Sequence, residues 1–256
     1  MSVHGRLEIT THIGCPMNCR DCPQGLLLSK YKGKRDLSLE DFKTIIDKVP
    51  QTVRIDFSGM CEPFANPYCS DMILYAYEKK HRLALYTTLQ GATIEDYEKL
   101  KHVRYEVVTI HVPDREESGH FNITPDYLEL LSKWETHNYS CHGTIDERVM
   151  HSMKRRNLIT YMHDRAGNVE DRPHRNINPR VPLWCQTSGK EMDHNVLLPD
   201  GTVIMCCMDY GMTGVFGNLL EQSYEEVLNS EEAQKMRATL NEGESICRHC
   251  TNATFR

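Results

Sequence analysis

What the chain lacks narrows its class first. No run of residues stays apolar for the length of about 20 that a membrane-spanning helix requires. The segment Met1–Gly14 has neither the apolar core nor the small-residue cleavage site of a secretory signal peptide, so a cytoplasmic location is expected. No long Lys/Arg tract occurs and the formal net charge is -6, so neither nucleic acid nor a membrane is an expected partner. No internal repeat or low-complexity tract stands out. The eleven cysteines are an odd number and fall in groups, unlike the disulfide framework of a small secreted domain.

What is present is an ordinary globular composition: 256 residues, 39% of them hydrophobic, enough for one large domain or one domain with a small module. Residues 7–13 read as a strand, Val53–Phe57 as a second, Leu83–Thr87 as a third and Val107–Val112 as a fourth, stopped by Pro113. Helices are expected from Ser38, an N-cap with Asp41 three residues on, at Asp71–Lys80, at Ile94–Leu100, and from Thr124-Pro125 to about His137. Strands alternating with helices predict parallel βαβ units, hence an α/β fold. A fifth strand is expected near Tyr139–Ile145 and a helix near Glu147–Arg156, followed by a Pro-, Arg- and Asn-containing linker over 166–182. From about 183 to 256 the pattern changes. Asn195–Leu198 and Thr202–Met205 flank Pro199-Asp200-Gly201 as a hairpin, and helices are expected at Tyr224–Leu228 and Glu231–Leu240. Such a module is too small to hold together by its core alone, and a metal would staple it.

Cys15, Cys19 and Cys22 stand at C-x3-C-x2-C spacing after the first strand. Grouped thiols in a chain without secretion signals point to metal ligation. Three suit a [4Fe-4S] cluster whose fourth iron has no protein ligand, leaving a corner for substrate or cofactor. A second group is Cys185, Cys206, Cys207, Cys247 and Cys250, of which four would close a cage around either an iron–sulfur cluster or zinc.

The first spacing resembles the signature of the radical S-adenosylmethionine (radical SAM) superfamily. That resemblance implies a partial (β/α) barrel over 1–165, with S-adenosyl-L-methionine chelated at the open iron of the [4Fe-4S] cluster. It further implies a 5'-deoxyadenosyl radical that takes hydrogen from substrate, and an electron donor such as flavodoxin or ferredoxin. In the family the residue before the third cysteine is usually aromatic; here it is Asp21. Cys185, the run Leu198–Tyr210, Gly217-Asn218-Leu219 and Cys247-Arg248-His249-Cys250 resemble a SPASM extension in its shortened twitch form. This implies one auxiliary [4Fe-4S] cluster on Cys185, Cys206, Cys247 and Cys250 in a hairpin-plus-helix module at 183–256, with Cys207 either replacing Cys206 or simply buried. The Gly59-Met60-Cys61-Glu62-Pro63 block resembles the Gly-Gly-Glu motif, implying that Glu62 and Gly59 meet the amino group of S-adenosylmethionine. The layout as a whole is similar to the 2-deoxy-scyllo-inosamine dehydrogenases of the superfamily. That implies an oxidoreductase acting on a carbinol of a sugar, aminocyclitol or nucleotide sugar, with Arg165 at the substrate.

Thr88, Gln90 and His111 stand at strand ends, where parallel barrels carry ligand contacts, and are further candidates for cofactor binding. From Arg148 to Arg180 there are eight Lys/Arg against three acids, either a solvated basic face or a receiver for an anionic sugar or nucleotide sugar. Cys61, Cys69 and Cys141 fall outside both groups and are expected to be small buried residues or, for one of them, a hydrogen-atom donor of an epimerase. Modification of a ribosomal peptide, and metal binding without catalysis, are the remaining alternatives.

Overall fold

The structure is a computed structural model and describes residues 5–154, 157–160, 164–169 and 175–255. The first part alternates as expected: β1 (Arg6–Ile9), α1 (Gln24–Lys30), α2 (Leu39–Ile46), β2 (Arg54–Phe57), α3 (Cys69–Glu78), β3 (Leu83–Thr87), α4 (Ile94–Leu100), β4 (Val107–His111), α5 (Pro125–Lys133), β5 (Asn138–Ser140), α6 (Glu147–Met150) and β6 (Leu158–Ile159). The second part holds β7 (Leu183–Cys185), β8 (His194–Leu197), β9 (Thr202–Ile204), β10 (Val215–Asn218), α7 (Tyr224–Leu228), α8 (Glu231–Ala238) and β11 (Ala253–Phe255).

Strands β1 to β6 lie side by side in chain order, each parallel to the next, as right-handed βαβ crossovers dictate. This is a partial (β/α) barrel. The hairpin of the second part does not stand apart from it. Strand β8 pairs parallel with the free edge of β1, Glu8 opposite Val196, and β9 and β10 continue the same sheet antiparallel. An edge that would otherwise present unpaired backbone groups is thereby covered. Strands β7 and β11 form a separate antiparallel pair that brings Cys185 opposite Ala253.

Side chains alternate across each strand, so the two faces of the sheet separate cleanly. Leu7, Ile9, Ile55 and Phe57 join the buried layer under the helices, where the Phe42 and Phe57 ring centroids are 5.9 Å apart. Removing the Phe42 ring would cost about 3–5 kcal/mol by cavity formation. Glu8, Asp56, Tyr86, Thr109 and His111 alternate with those residues and line the barrel interior.

The caps follow the sequence. Ser38 accepts from the Asp41 amide at 3.1 Å, and Thr93 and Asp96 form a reciprocal capping box. Helix α5 starts after Thr124 with Pro125 at its first position but ends at Lys133, one turn before His137. Trp134 takes an extended conformation because its ring packs edge-on against Phe64 and Tyr97, at 5.7 and 5.8 Å. Strand β5 is shorter than 139–145 for a related reason: the chain turns back after Ser140, and Ile145 pairs with Asp114 instead. Helix α6 has one turn; the remainder of the stretch expected to reach Arg156 ends in residues outside those described. Among the described residues no helix is long and apolar enough to cross a membrane.

Candidate active site between two groups of thiols

One cavity, with a volume of about 430 Å³, occupies the barrel interior at the C-terminal ends of its strands. Parallel barrels place their ligands there because the loops that follow the strands converge on it. Thiols of both cysteine groups border this cavity.

The loop after β1 carries Cys15, Cys19 and Cys22. The Glu62 amide donates to Cys15 Sγ at 3.2 Å, and Cys22 Sγ is 3.4 Å from the Tyr210 hydroxyl. Burial, with repulsion among the neighbouring thiols, pushes Cys15 up to about 11 and Cys19 up to about 12. Such thiols stay protonated at neutral pH unless a cation stabilises the thiolate, and metal coordination does this outright. The donor set therefore fits a metal cluster and does not fit free nucleophiles. In the second group the order of influence separates the two adjacent cysteines. Burial raises both; beyond it, Cys206 has Cys207 and Cys247 as electrostatic neighbours, whereas Cys207 has Glu8 and Arg165. Cys247 and Cys250 each have Cys185 as a neighbour, and burial lifts them to about 12 and about 11. Among the described residues no three His, Cys, Asp or Glu side chains come together as ligands of a single ion. A lone zinc with Zn–S bonds of about 2.3 Å would need such convergence. A cubane spreads its four sulfur ligands over four corners.

The loop that ends the chain is held by Arg248, fully buried, whose guanidinium donates to the carbonyls of Gly243 at 2.9 Å, Asn178 at 3.3 Å, Val181 and Thr239. A planar fork of five donors suits four convergent carbonyls as an ammonium would not. Asp209, also buried, closes the loop after Cys207 by accepting from the amides of Thr213 and Gly214, both at 2.8 Å.

Glycine is required at position 59. Its φ is +55°, and a β-carbon there would lie 2.6 Å from the Thr10 nitrogen and 2.7 Å from the Ile9 carbonyl oxygen. Glu62 is buried at the end of β2, and its two oxygens take four donors of the chain itself: Thr87 Oγ1 at 2.6 Å and the Phe64 amide at 3.1 Å, then the Thr88 amide and hydroxyl, both at 2.6 Å. Burial raises its pKa against the pull of those donors. Of the other strand-end candidates, Thr88 and His111 line the cavity. Gln90 lies outside the lining, its side chain bonded to the backbone of Asn122. His111 is 3.1 Å from Ser140 Oγ, stacks on Phe121 at 5.8 Å and meets the His142 ring at 4.3 Å. Burial, and then His142, push it down to about 3, so it is neutral. Asp21 is buried, 3.8 Å from His142, whose ring packs with that of His111, and His111 in turn with Phe121, near Cys19 and Gly119.

Arg165 reaches the cavity from a turn in which both it and Ala166 have positive φ, +51° and +55°, a conformation that costs energy for non-glycine residues. Asp164 stabilises the turn by accepting from the Ala166 amide at 3.1 Å and the Thr251 hydroxyl at 3.2 Å. The guanidinium lies 5.8 Å over the Tyr210 ring and has Cys207, Cys22 and Glu8 as further partners. The other described cations of the basic stretch do not join it: Arg148 pairs with Asp146, Lys154 with Glu135, Arg175 with the Ala253 carbonyl, and Arg180 is not in the cavity lining. Arg155, Arg156, Glu170, Asp171 and Arg172 fall outside the described residues. Of the three cysteines left over in the sequence, Cys61 lines the cavity while Cys69 and Cys141 are buried in the core.

Glu8, Ser58, His194 and Tyr210 are among the lining residues to which the sequence assigned no role. Glu8 Oε1 is 2.6 Å from His194 Nε2, and Ser58 Oγ donates to Glu8 Oε2 at 2.9 Å. Tyr210 bridges the second part of the chain to Cys22. The alternation of β1 was the available signal for Glu8, an acid among apolar residues at an inward position. Nothing local marks His194, and Tyr210 appeared only as the last residue of the run Leu198–Tyr210, with no role assigned.

Residues 185–251 match the SPASM family, an iron–sulfur cluster-binding domain. No curated protein matches the chain. Among solved structures it is similar to BtrN in complex with AdoMet and 2-DOIA, at 17% identity over 98% of this chain and 94% of that one, with a TM-score of 0.67. It is similar to native anSMEcpe with bound AdoMet, at 12% identity over 96% and 86%, TM-score 0.59. It is also similar to Streptococcus suis SuiB bound to precursor peptide SuiA, at 12% identity over 96% and 69%, TM-score 0.65. At these identities the likeness is one of fold.

Proposed function

We propose that the chain is a radical S-adenosylmethionine enzyme that oxidises a carbinol of a small sugar-like substrate. The observation that carries this reading is a cavity bordered by two groups of thiols, with an arginine and an acid–histidine pair between them. Cys15, Cys19 and Cys22 would hold one [4Fe-4S] cluster, and Cys185, Cys206, Cys247 and Cys250 the auxiliary [4Fe-4S] cluster. When bound and reduced, by a donor of the flavodoxin or ferredoxin class, these groups supply a 5'-deoxyadenosyl radical from S-adenosyl-L-methionine and an acceptor for the electron left on substrate.

The protein's own residues bind and orient. Gly59 lets the backbone approach closely, Thr88 and His111 form the wall, and Glu62 fixes the turn that donates to Cys15. Because Glu62 is already met by four donors, an entering ammonium either displaces a threonine hydroxyl or rests on backbone carbonyls. Arg165 holds the substrate oxygen between the two thiol groups. The support from comparison is the SPASM match over the second group and the fold shared with BtrN, whose structure contains AdoMet and 2-DOIA. The test is anaerobic reconstitution with iron and sulfide. About eight irons per chain and reductive formation of 5'-deoxyadenosine are expected. Iron uptake without that product sinks the reading.

A second reading, radical epimerisation, is favoured by Cys207. Its thiol lies in the cavity beside Arg165 rather than with Cys247, so it is placed to return a hydrogen atom to a substrate radical. Solvent deuterium retained at a carbon of the product would select this reading over oxidation.

A further inference from the structure

The two buried glutamates of the cavity differ in what they can still accept. A carboxylate offers about four acceptor positions. At Glu62 all are met from within the chain. At Glu8 one hydrogen bond is made, from the Ser58 hydroxyl at 2.9 Å, while His194 Nε2 lies 2.6 Å from Oε1 as an ion-pair contact without hydrogen-bond alignment. Acceptor positions therefore remain open on a side chain that is 6% exposed and lines the cavity. Burial raises Glu8, but His194, Ser58 and Cys207 together bring it below the usual carboxylate range.

A second open acceptor lies in the same cavity. Gln24 is 8% exposed, and its side-chain nitrogen is committed to the Met60 carbonyl, which fixes the orientation of the amide. Its Oε1 has no hydrogen-bond partner among the described residues. Buried acceptors are rarely left unmet, so an occupant that donates is called for. The positive charge of Arg165 is at the same time faced by Glu8, Cys22, Cys207 and Tyr210. An anion entering beside Glu8 would meet a carboxylate and a guanidinium that is already matched.

We propose that Glu8, held by His194 and Ser58, is the substrate-recognising acceptor of the cavity, and that the substrate is a compact polyhydroxylated ring presenting a hydroxyl or ammonium to it. Carboxylated or phosphorylated sugars are disfavoured at that face. This rests on the reading above and names its substrate class. The same cavity would also receive S-adenosylmethionine, so the substrate meets Glu8 beside that cofactor.

The test uses three matched pyranoses, glucosamine, glucose and glucuronate, titrated by saturation-transfer NMR against anaerobically reconstituted protein with S-adenosylmethionine bound. Glucosamine and glucose are expected to bind at least tenfold more tightly than glucuronate, and Glu8→Gln to weaken glucosamine by tenfold or more, as loss of a charged hydrogen bond implies. Glucuronate binding best, or an unchanged Glu8→Gln, overturns the proposal. If Glu8→Gln fails to take up iron, the ordering in the unaltered protein decides alone. The same samples are assayed for 5'-deoxyadenosine. Its absence sinks the radical reading itself, whereas its formation with no pyranose bound sinks only the substrate class.

Discussion

Glu8 and Glu62 sit in one cavity, both buried, yet their environments drive them in opposite directions. Glu62 at the end of β2 is surrounded by neutral donors, two threonine hydroxyls and two amides, and burial still raises it. Glu8 in the middle of β1 has His194 at 2.6 Å, and that partner, with Ser58 and Cys207, reverses the effect of burial. Neutral hydrogen bonds soften the desolvation of a charge, and a partner able to carry the opposite charge overcomes it. The first arrangement builds a rigid turn with nothing left over. The second leaves acceptor positions open to the cavity.

The contrast can be broken by mutation, most severely at the closed site. Glu62→Ala would leave four buried donors unmet and is expected to cost on the order of 4 kcal/mol, read as a lower midpoint in urea denaturation. Glu8→Leu removes one side of a buried pair and strands His194 and Ser58; a loss of about 3 kcal/mol is expected in the same measurement.

Acid titration sharpens the comparison by sign. The lowered folded pKa of Glu8 contributes stability that is present above its unfolded value, near 4.5, and is lost as pH falls through the lower folded one. The raised folded pKa of Glu62 acts the other way: ionising it costs stability as pH rises above 4.5. Stability followed from pH 6 downward should therefore fall less in Glu8→Gln than in the unaltered protein, and more in Glu62→Gln. Identical profiles for the two variants would remove the distinction. Smaller still is Thr88→Val, which deletes one hydroxyl donor to Glu62 and is expected to cost about 1 kcal/mol by thermal denaturation. Gln90→Ala, outside the cavity lining, should stay within about 0.5 kcal/mol.

Much of this was legible from short-range pattern. The Ser38 cap, the bounds of β3 and α4, the proline-led start of α5 and the turn at Gly201 depend on residues within a few positions of one another. The cysteine spacings named both thiol groups for the same reason. The departures came where a distant partner overruled the local pattern, as when Trp134 left α5 to pack on Phe64 and Tyr97.

By itself, then, the sequence determined the alternating elements, the two cysteine groups and the glycine turn before Glu62, because each is specified by neighbours in the chain. Only the tertiary structure decided that β8 joins β1, that Cys206 turns toward Cys247 while Cys207 turns toward Arg165, and that Tyr210 touches Cys22. It likewise made Glu8 and His194, at opposite ends of the chain, into a pair. Sheet pairing between remote segments is set by which edges and faces must be buried together, and no window of sequence contains both sides of that contact.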